Sequence, residues 1–535
     1  MASEPPLKKI KFTDVQVEPL RMQTRTIELL PREKLLQEVL LECRNESGSV
    51  PSDLEIRFTG GWVRDKLLGI DSCDIDVGLS SMTGIRFGIA LQSHIAEVGA
   101  KYMKEAENLG VPPDLKGLHQ IAANPEKSKH LETVTTRIFG QDVDLVNLRK
   151  ETYTEDSRNP QMEFGTAEED ARRRDSTVNA LFYNLDTKQV EDFTGMGLDD
   201  MAAGIIRTPL EPYQTFMDDP LRVLRLIRFA SKLGYRIDDE ARQSMKDDRI
   251  HAALNAKISR ERVGVEVAKM IAGRYPLIAF QLIHDLNLYS TVFLEPGSDS
   301  GEHLKNHLPP SRSSTQWPHT WPHAYKLLAA LLDHTSNLAK ELTKTDDTNE
   351  SLWILAAYAP FLPLRPESAV KNARGGLKLT NKLSKILEES LKHQHEIRSL
   401  IDRVAQHDPS SDPIPRSTVG FAIRTWGVTW RQQVLYSLLA EAVLIPSSED
   451  FFQSELERYA KFIEFVLEQR LQEAAHMKPL LRGNEIQRLF DLKKSGPWMK
   501  TCLDELCKWQ FDHEGADTSE AKAWILTQKD NFGIA

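Results

Sequence analysis

The sequence predicts a mixed α/β N-terminal part followed by a long region that is nearly all helix. Two observations predict this. Short apolar or alternating runs at 55–59, 74–79, 134–139, 143–148 and 180–185 have the length and period of strands, with helical segments between them. From about residue 196 onward, almost every periodic segment has helical spacing instead.

The elements follow in order. Leu29, Leu35, Val39 and Leu40 give one helix over 28–46, ending near Asn45–Gly48. The 55–59 strand runs into Gly60-Gly61, and a helix over 62–69 stops at Gly69. Residues 74–79 alternate as a second strand, and 85–107 form a helix. Gly140-Gln141 separates two strand runs, the mark of a hairpin. A helix over 167–175 precedes the 180–185 strand. Loops at 309–314 and 408–415 are rich in Pro, Ser and Asp and read as linkers.

A chain of 535 residues exceeds one ordinary core and calls for three or four structural units. No apolar stretch reaches the ~18 residues of a membrane span, so no membrane partner is expected. Cys43, Cys73, Cys502 and Cys507 lack zinc-type spacing and read as free thiols in a reducing compartment. The formal charge of −10 confines any nucleic-acid contact to a local basic face. The N-terminus has no apolar secretory core. Lys8, Lys9 and Lys11 read equally as an import signal or a solvated tail.

The run from Arg57 to Asp76 carries the most chemistry. Gly60 and Gly61 let backbone approach a bound phosphate, with N–H groups at the next helix start facing the anion. Arg64, in the first turn, adds a guanidinium. Asp74 and Asp76 stand at i and i+2 on a strand, so both carboxylates share a face. Paired carboxylates suit Mg²⁺ as cofactor, and a second ion would activate an attacking hydroxyl. Asp144 is the candidate third carboxylate, with Asp142 the alternative on the same strand face.

This strand, Gly-Gly, helix, Asp-x-Asp order resembles the signature of the polymerase-β-like nucleotidyltransferase superfamily. In its Gly-Gly-x-Val-Arg-Asp-x-Leu-Leu-Gly form it resembles class II tRNA CCA-adding enzymes of eukaryotic type and their relative, bacterial poly(A) polymerase. The resemblance spans about 55–275, with a weaker match near 479–535. It implies a flexible tail (1–25), a catalytic α/β head with a mixed sheet (26–195), a neck with a base-recognition helix (196–275), a helical body (276–400) and a helical tail that contacts tRNA (401–535).

Arg172 to Ala180 matches the family's Arg-Arg-Asp-x-Thr-x-Asn-Ala. Arg173 or Arg174 would hold triphosphate or ribose, with Asp175 and Asn179 bracing the site; the resemblance implies ribose selection here. Asp192 to Asp200 resembles the family's hinge. In Asp218-Asp219-Pro220-Leu221-Arg222, Asp218 or Asp219 is the expected N-cap. Asp219 and Arg222 are helix-surface neighbours at i, i+3. A carboxylate accepts from an exocyclic amine and a guanidinium donates to a ring nitrogen. Cytosine and adenine both present that amine beside an acceptor, while uracil and guanine present the reverse. The family's Glu-Asp-x-x-Arg reads the incoming base at this place, and here Asp218 replaces its Glu. Arg225 and Arg228 match further nucleotide-contacting arginines. Ser259 is expected to cap a neck helix, with Arg262 and Glu266 paired.

In the C-terminal half, His303, His307, His319 and His323 lack an acidic partner for a metal site. Lys478, Arg482, Lys493, Lys494 and Lys500 lie where the resemblance implies a tRNA-binding surface that reads backbone shape. The expected activity is CCA addition to tRNA from CTP and ATP by a monomer. Rival readings are a poly(A) polymerase, an enzyme adding only CC or only A, and an inactive RNA-binding scaffold. Nucleus, cytoplasm and mitochondrion are the expected compartments.

Overall fold

The structure, a computed structural model, describes residues 17–115, 119–121, 133–154, 157–309, 316–345, 348–408, 410–444, 449–492, 494 and 496–532. The chain divides between Thr291 and Val292 into two compact units. No helix among the described residues is long and apolar enough to cross a membrane.

The N-terminal unit opens with α1 (Pro31–Glu46), β1 (Ile56–Thr59), α2 (Gly61–Leu67), β2 (Asp74–Leu79) and α3 (Gly84–Asn108). There follow β3 (His119–Ile121), β4 (Thr133–Ile138), β5 (Gln141–Asn147), β6 (Arg149–Thr154), β7 (Ser157–Phe164), α4 (Ala167–Arg172), β8 (Phe182–Asn184) and β9 (Val190–Glu191). Seven strands form one sheet in the order β3-β4-β5-β2-β1-β8-β9. It is mixed, because β2 and β5 run parallel while the other neighbours run antiparallel. Ile75, Val77, Val143 and Leu145 are fully buried on one face, where α3 packs on β4 and β5. The alternate residues of β2 and β5 turn to the open face, and these are the aspartates.

The β6–β7 hairpin was not predicted. Arg149-Lys-Glu-Thr-Tyr-Thr is too polar to show an apolar alternation, and the strands pair only with each other. The helix predicted to reach 175 ends at Arg172, because Asp175 turns inward onto Arg225.

The rest of this unit is α5 (Gly197–Ala203), β10 (Ile205–Ile206), α6 (Pro212–Asp218), α7 (Leu221–Leu233), β11 (Arg236–Ile237), α8 (Asp239–Ser244), α9 (Asp248–Lys257), α10 (Arg260–Ile271) and α11 (Pro276–Asp285). α7 carries a buried stripe of Leu221, Val223, Leu224, Leu226, Ile227 and Ala230, packed against α10 and α11. Its cap differs from expectation. α6 runs through Asp218, and Pro220 is the N-cap with no side-chain cap bond. Asp219 still serves the helix start, accepting from the Leu221 N–H at 3.2 Å. Ser259 holds the N-cap position of α10 without a side-chain bond, and Glu266 receives Arg228 at 2.6 Å.

After α12 (Tyr289–Phe293) the C-terminal unit is helical throughout its described residues. It contains α13 (Ser300–His307), α14 (Trp321–Asp333), α15 (Asn337–Leu342), α16 (Glu350–Ala357), α17 (Pro366–Leu377), α18 (Asn381–Ala405), α19 (Arg416–Trp426), α20 (Trp430–Leu444) and α21 (Glu449–Glu468). α20 is buried nearly all round and packs against α14, α16, α18 and α21. α22 (Gly483–Leu489), α23 (Trp498–Asp512) and α24 (Thr518–Thr527) close a separate small core of Leu481, Ile486, Phe490, Cys502, Leu506, Ala521 and Ile525.

One buried group in α20 sets a pH dependence. Burial, then a hydrogen bond shared with Glu455, pushes the Glu441 carboxyl up to about 7, against the opposing charge of Arg398 at 3.3 Å. The folded state thus holds this proton more tightly than the unfolded chain. That contribution is fully present below the ordinary glutamate range and is lost as pH rises through about 7. Glu441→Gln should flatten the fall in stability between about pH 6 and pH 8. Urea midpoints at the two pH values test this, and an unchanged slope would refute it.

Candidate active site

The site is built where β1 ends. Gly60 adopts φ +73, and a Cβ there would stand 2.8 Å from Arg174 Nη1 and 3.6 Å from Asp76 Oδ2. Only glycine lets the arginine and the turn share this space. The Gly60 N–H donates to the Leu181 carbonyl at 3.1 Å, tying the turn to the chain entering β8.

Parallel pairing sets Asp74 opposite Asp142 and Asp76 opposite Asp144, so four carboxylates line the open face. The surroundings separate the two candidates for third carboxylate. Asp142 receives Arg137 Nη1 at 2.9 Å, whereas Asp144 sits beside Asp76 and accepts only a neutral hydroxyl, Thr135 Oγ1 at 2.7 Å, among the bonds found for it. Asp76 keeps an open side toward solvent while protein crowds the others. That partial withdrawal from water, with the charges of Asp144, Asp74 and Asp170, pushes its carboxyl up to about 6 against the pull of Arg174. Asp74 is raised by the same withdrawal, with Asp144 and Asp142 adding to it. Oxygen ligands that repel one another on an open face fit a hard divalent cation.

The adjacent arginines part company. Both use Asp170, Arg173 through Nε at 2.9 Å and Arg174 through Nε at 3.0 Å. Arg174 then reaches the sheet, donating to Thr59 Oγ1 at 2.6 Å and the Asn179 carbonyl at 3.0 Å. Arg173 turns to the β6–β7 hairpin, donating to Glu151 at 3.0 Å and the Arg149 carbonyl at 3.2 Å. Arg64 is buried and donates to Asp65 at 2.8 Å and to Asn179 Oδ1 at 2.5 Å, so in this structure it braces the turn. Asn179 passes the brace on to Asp175 at 3.2 Å.

Asp175 is buried and accepts from Arg225 Nε at 2.6 Å. Burial pulls its carboxyl upward, but the charge and hydrogen bond of Arg225, then Asn179 and Arg222, outweigh it and hold the group at about 2. A lowered folded pKa stabilises above the ordinary aspartate range, and that contribution is lost as pH falls through about 2. Asp175→Asn should therefore cost ~2 kcal/mol at neutral pH, with the difference shrinking between about pH 4 and pH 2. Equal unfolding midpoints for the two proteins at pH 7 would contradict this pairing.

The base-reading candidates lie at the start of α7. Arg222 is buried and donates through Nη2 to the Arg173 carbonyl at 2.8 Å, with Glu151 at 4.0 Å. Asp219 is half-buried, with Arg262 at 3.9 Å. Arg64, Arg225 and Arg228 place guanidinium carbons 5.9, 5.6 and 4.3 Å from the Phe229 ring, a cationic cluster gathered on one aromatic face. At the expected hinge, Asp192 accepts from Thr194, Gly195 and Leu198 N–H groups at 3.2, 3.1 and 3.1 Å.

Sequence reasoning missed Asp170 and Glu151. Asp170 had a signal, since it precedes Arg173 and Arg174 by three and four residues in a helix. Glu151 had none, because the hairpin that carries it is invisible in the apolar pattern. Lys478, Arg482, Lys494 and Lys500 are exposed in the C-terminal unit, and Lys493 lies outside the described residues. Among the described residues, His303, His307, His319 and His323 form no metal-ligand group; the His303 and His307 rings stack at 4.2 Å.

An α/β sheet carrying paired aspartates beside a Gly-Gly turn, with arginines gathered around it, defines a nucleotidyltransferase. Residues 56–207 match the family model described as "Poly A polymerase head domain", and 234–300 match "Probable RNA and SrmB- binding site of polymerase A". The chain is 36% identical to the mitochondrial CCA tRNA nucleotidyltransferase of Candida glabrata, over 90% of this chain and 91% of that protein. It is 38% identical to the nucleotidyltransferase lcsQ of Purpureocillium lilacinum, over 95% and 93%. A solved CCA-adding enzyme, apo form II, shares the fold with a TM-score of 0.62 at 19% identity, over 94% of this chain and 96% of that one. The chain belongs to the CCA tRNA nucleotidyltransferase family, of the eukaryotic class II type.

Proposed function

We propose that the chain completes tRNA 3′ ends by adding C, C and A from CTP and ATP. The observation that carries this reading is the convergence of Asp74, Asp76 and Asp144 on the open face beside Gly60. Structures of CCA-adding enzymes in complex with CTP, ATP and tRNA support it for relatives of this fold.

Asp74 and Asp76, with Asp144, would hold Mg²⁺, which when bound in a pair supplies activation of the RNA 3′-hydroxyl and neutralisation of the departing pyrophosphate. Arg174, fixed against Thr59 and Asn179, brings positive charge beside Asp76 for the triphosphate, with the N–H groups of Gly60 and Gly61 at the turn. Arg173, Asp175 and Asn179 set the ribose side. Asp219 and Arg222 accept and donate to the base edge, and Arg225 and Arg228 add charge near it. The 3′-oxygen bonds to the α-phosphorus as the bond to pyrophosphate breaks. Exposed Lys478, Arg482, Lys494 and Lys500, with Lys493, would contact tRNA phosphates. We propose a mitochondrial pool in addition to nuclear and cytoplasmic ones, supported by the mitochondrial yeast relatives.

Incorporation of labelled CTP, ATP, UTP and GTP with Mg²⁺, onto tRNA transcripts ending at the discriminator base, at C and at CC, tests the reading. Ordered C, C, A addition that then stops supports it. Long A tracts would instead mark a poly(A) polymerase, and absence of all incorporation a scaffold.

A further inference from the structure

Away from the aspartate face, α1 and α3 pack together and bring three metal-ligating side chains to one place. Glu42 and Glu46 stand at i and i+4 near the end of α1, and His94 faces them from α3. One ligand atom from each lies within 4.8 Å of the others, and His94 Nε2 is 3.8 Å from Glu42 Oε2. His94 is only 6% exposed, and its Nε2 has no hydrogen-bond partner among the described residues. A buried polar nitrogen without a partner is unfavourable unless something occupies its lone pair or its proton.

We propose that His94, Glu42 and Glu46 form a second metal site, distinct from the aspartates of the open face, for a divalent cation of the zinc type. Imidazole nitrogen is a borderline-soft ligand that suits such a cation, whereas Mg²⁺ prefers oxygen alone. A tetrahedral ion with bonds of about 2 Å holds its ligands about 3.3 Å apart, so the side chains need close in only by rotamer adjustment. Glu46 is exposed, which leaves the fourth position to water. The buried Tyr102 hydroxyl donates to Glu42 and fixes the carboxylate, as an outer partner does for a metal ligand. Lys101 Nζ, 3.1 Å from Glu42 Oε1, is the group the cation displaces, and its exposed side chain is free to swing into solvent. The ion would tie the last turn of α1 to the middle of α3 and so clamp two helices that cover the sheet.

The test is calorimetric titration of the full-length chain with Zn²⁺, in excess Mg²⁺ to fill the aspartate face. The expected result is about one equivalent of Zn²⁺ per chain, with a raised Tm. Glu46→Gln, a surface change that leaves the packing intact, should abolish both, as should His94→Gln, while Asp76→Asn should retain both. Absence of the equivalent would overturn the site and leave His94 as an ion-pair partner of Glu42. So would an equivalent that survives both Glu46→Gln and His94→Gln, or one that is lost in Asp76→Asn.

Discussion

Asp76→Asn should lower nucleotide incorporation by about 10³-fold or more, while leaving the folded protein at least as stable. The two halves of this expectation have one cause. Asp76 is pushed up to about 6 because it is partly withdrawn from water beside Asp144, Asp74 and Asp170. Metal-free folding therefore gains from neutralising it, and only the chemistry needs its charge. The same shift fixes a pH limb. A proton competes with the cation for this carboxylate, so activity at limiting Mg²⁺ should fall as pH drops below about 6 and recover with more Mg²⁺. Single-turnover rates with CTP, paired with thermal unfolding in chelator, provide the check. Activity within tenfold of wild type would remove Asp76 from the metal site, and a large loss of Tm would make its role structural.

The second large effect concerns base choice. Asp219→Asn should raise kcat/KM for UTP relative to CTP by about 10–100-fold, the range expected when one mismatched buried polar group, ~1–3 kcal/mol, is relieved. The amide of asparagine can donate to uracil O4, whereas the carboxylate repels it. Asp219 is a better probe than Arg222, since the Arg222 guanidinium also holds the Arg173 carbonyl. Unchanged UTP discrimination would take base reading away from Asp219.

The catalytic face was legible because its chemistry is local. Gly60-Gly61, Asp74 and Asp76 fall within one strand-turn-helix-strand run, and strand alternation alone brings the carboxylates together. The choice between Asp142 and Asp144 was not legible, because Arg137 and Thr135, which distinguish them, sit across a strand pairing. The roles of Arg173 and Arg174 were hidden for the same reason, since their divergence depends on Thr59 and Glu151, both distant in sequence. The cap of α7 misled because Asp218-Asp219-Pro220 reads as a cap box, while the preceding helix already claims Asp218.

The divergence of Arg173 and Arg174 makes the segment from Asp170 to Asn179 intolerant of any change in length. One added residue turns a helix by about 100°, which would exchange the directions in which the two guanidiniums point. Arg174 would leave Thr59 and the sheet, and Arg173 would leave the carbonyl contact it offers Arg222. Phosphate end and base end would lose register in a single step, whereas the same insertion after Gly195, in an exposed turn, shifts neither. Sequence drift in this part of the head should therefore proceed by substitution, with insertions and deletions confined to the loops outside it.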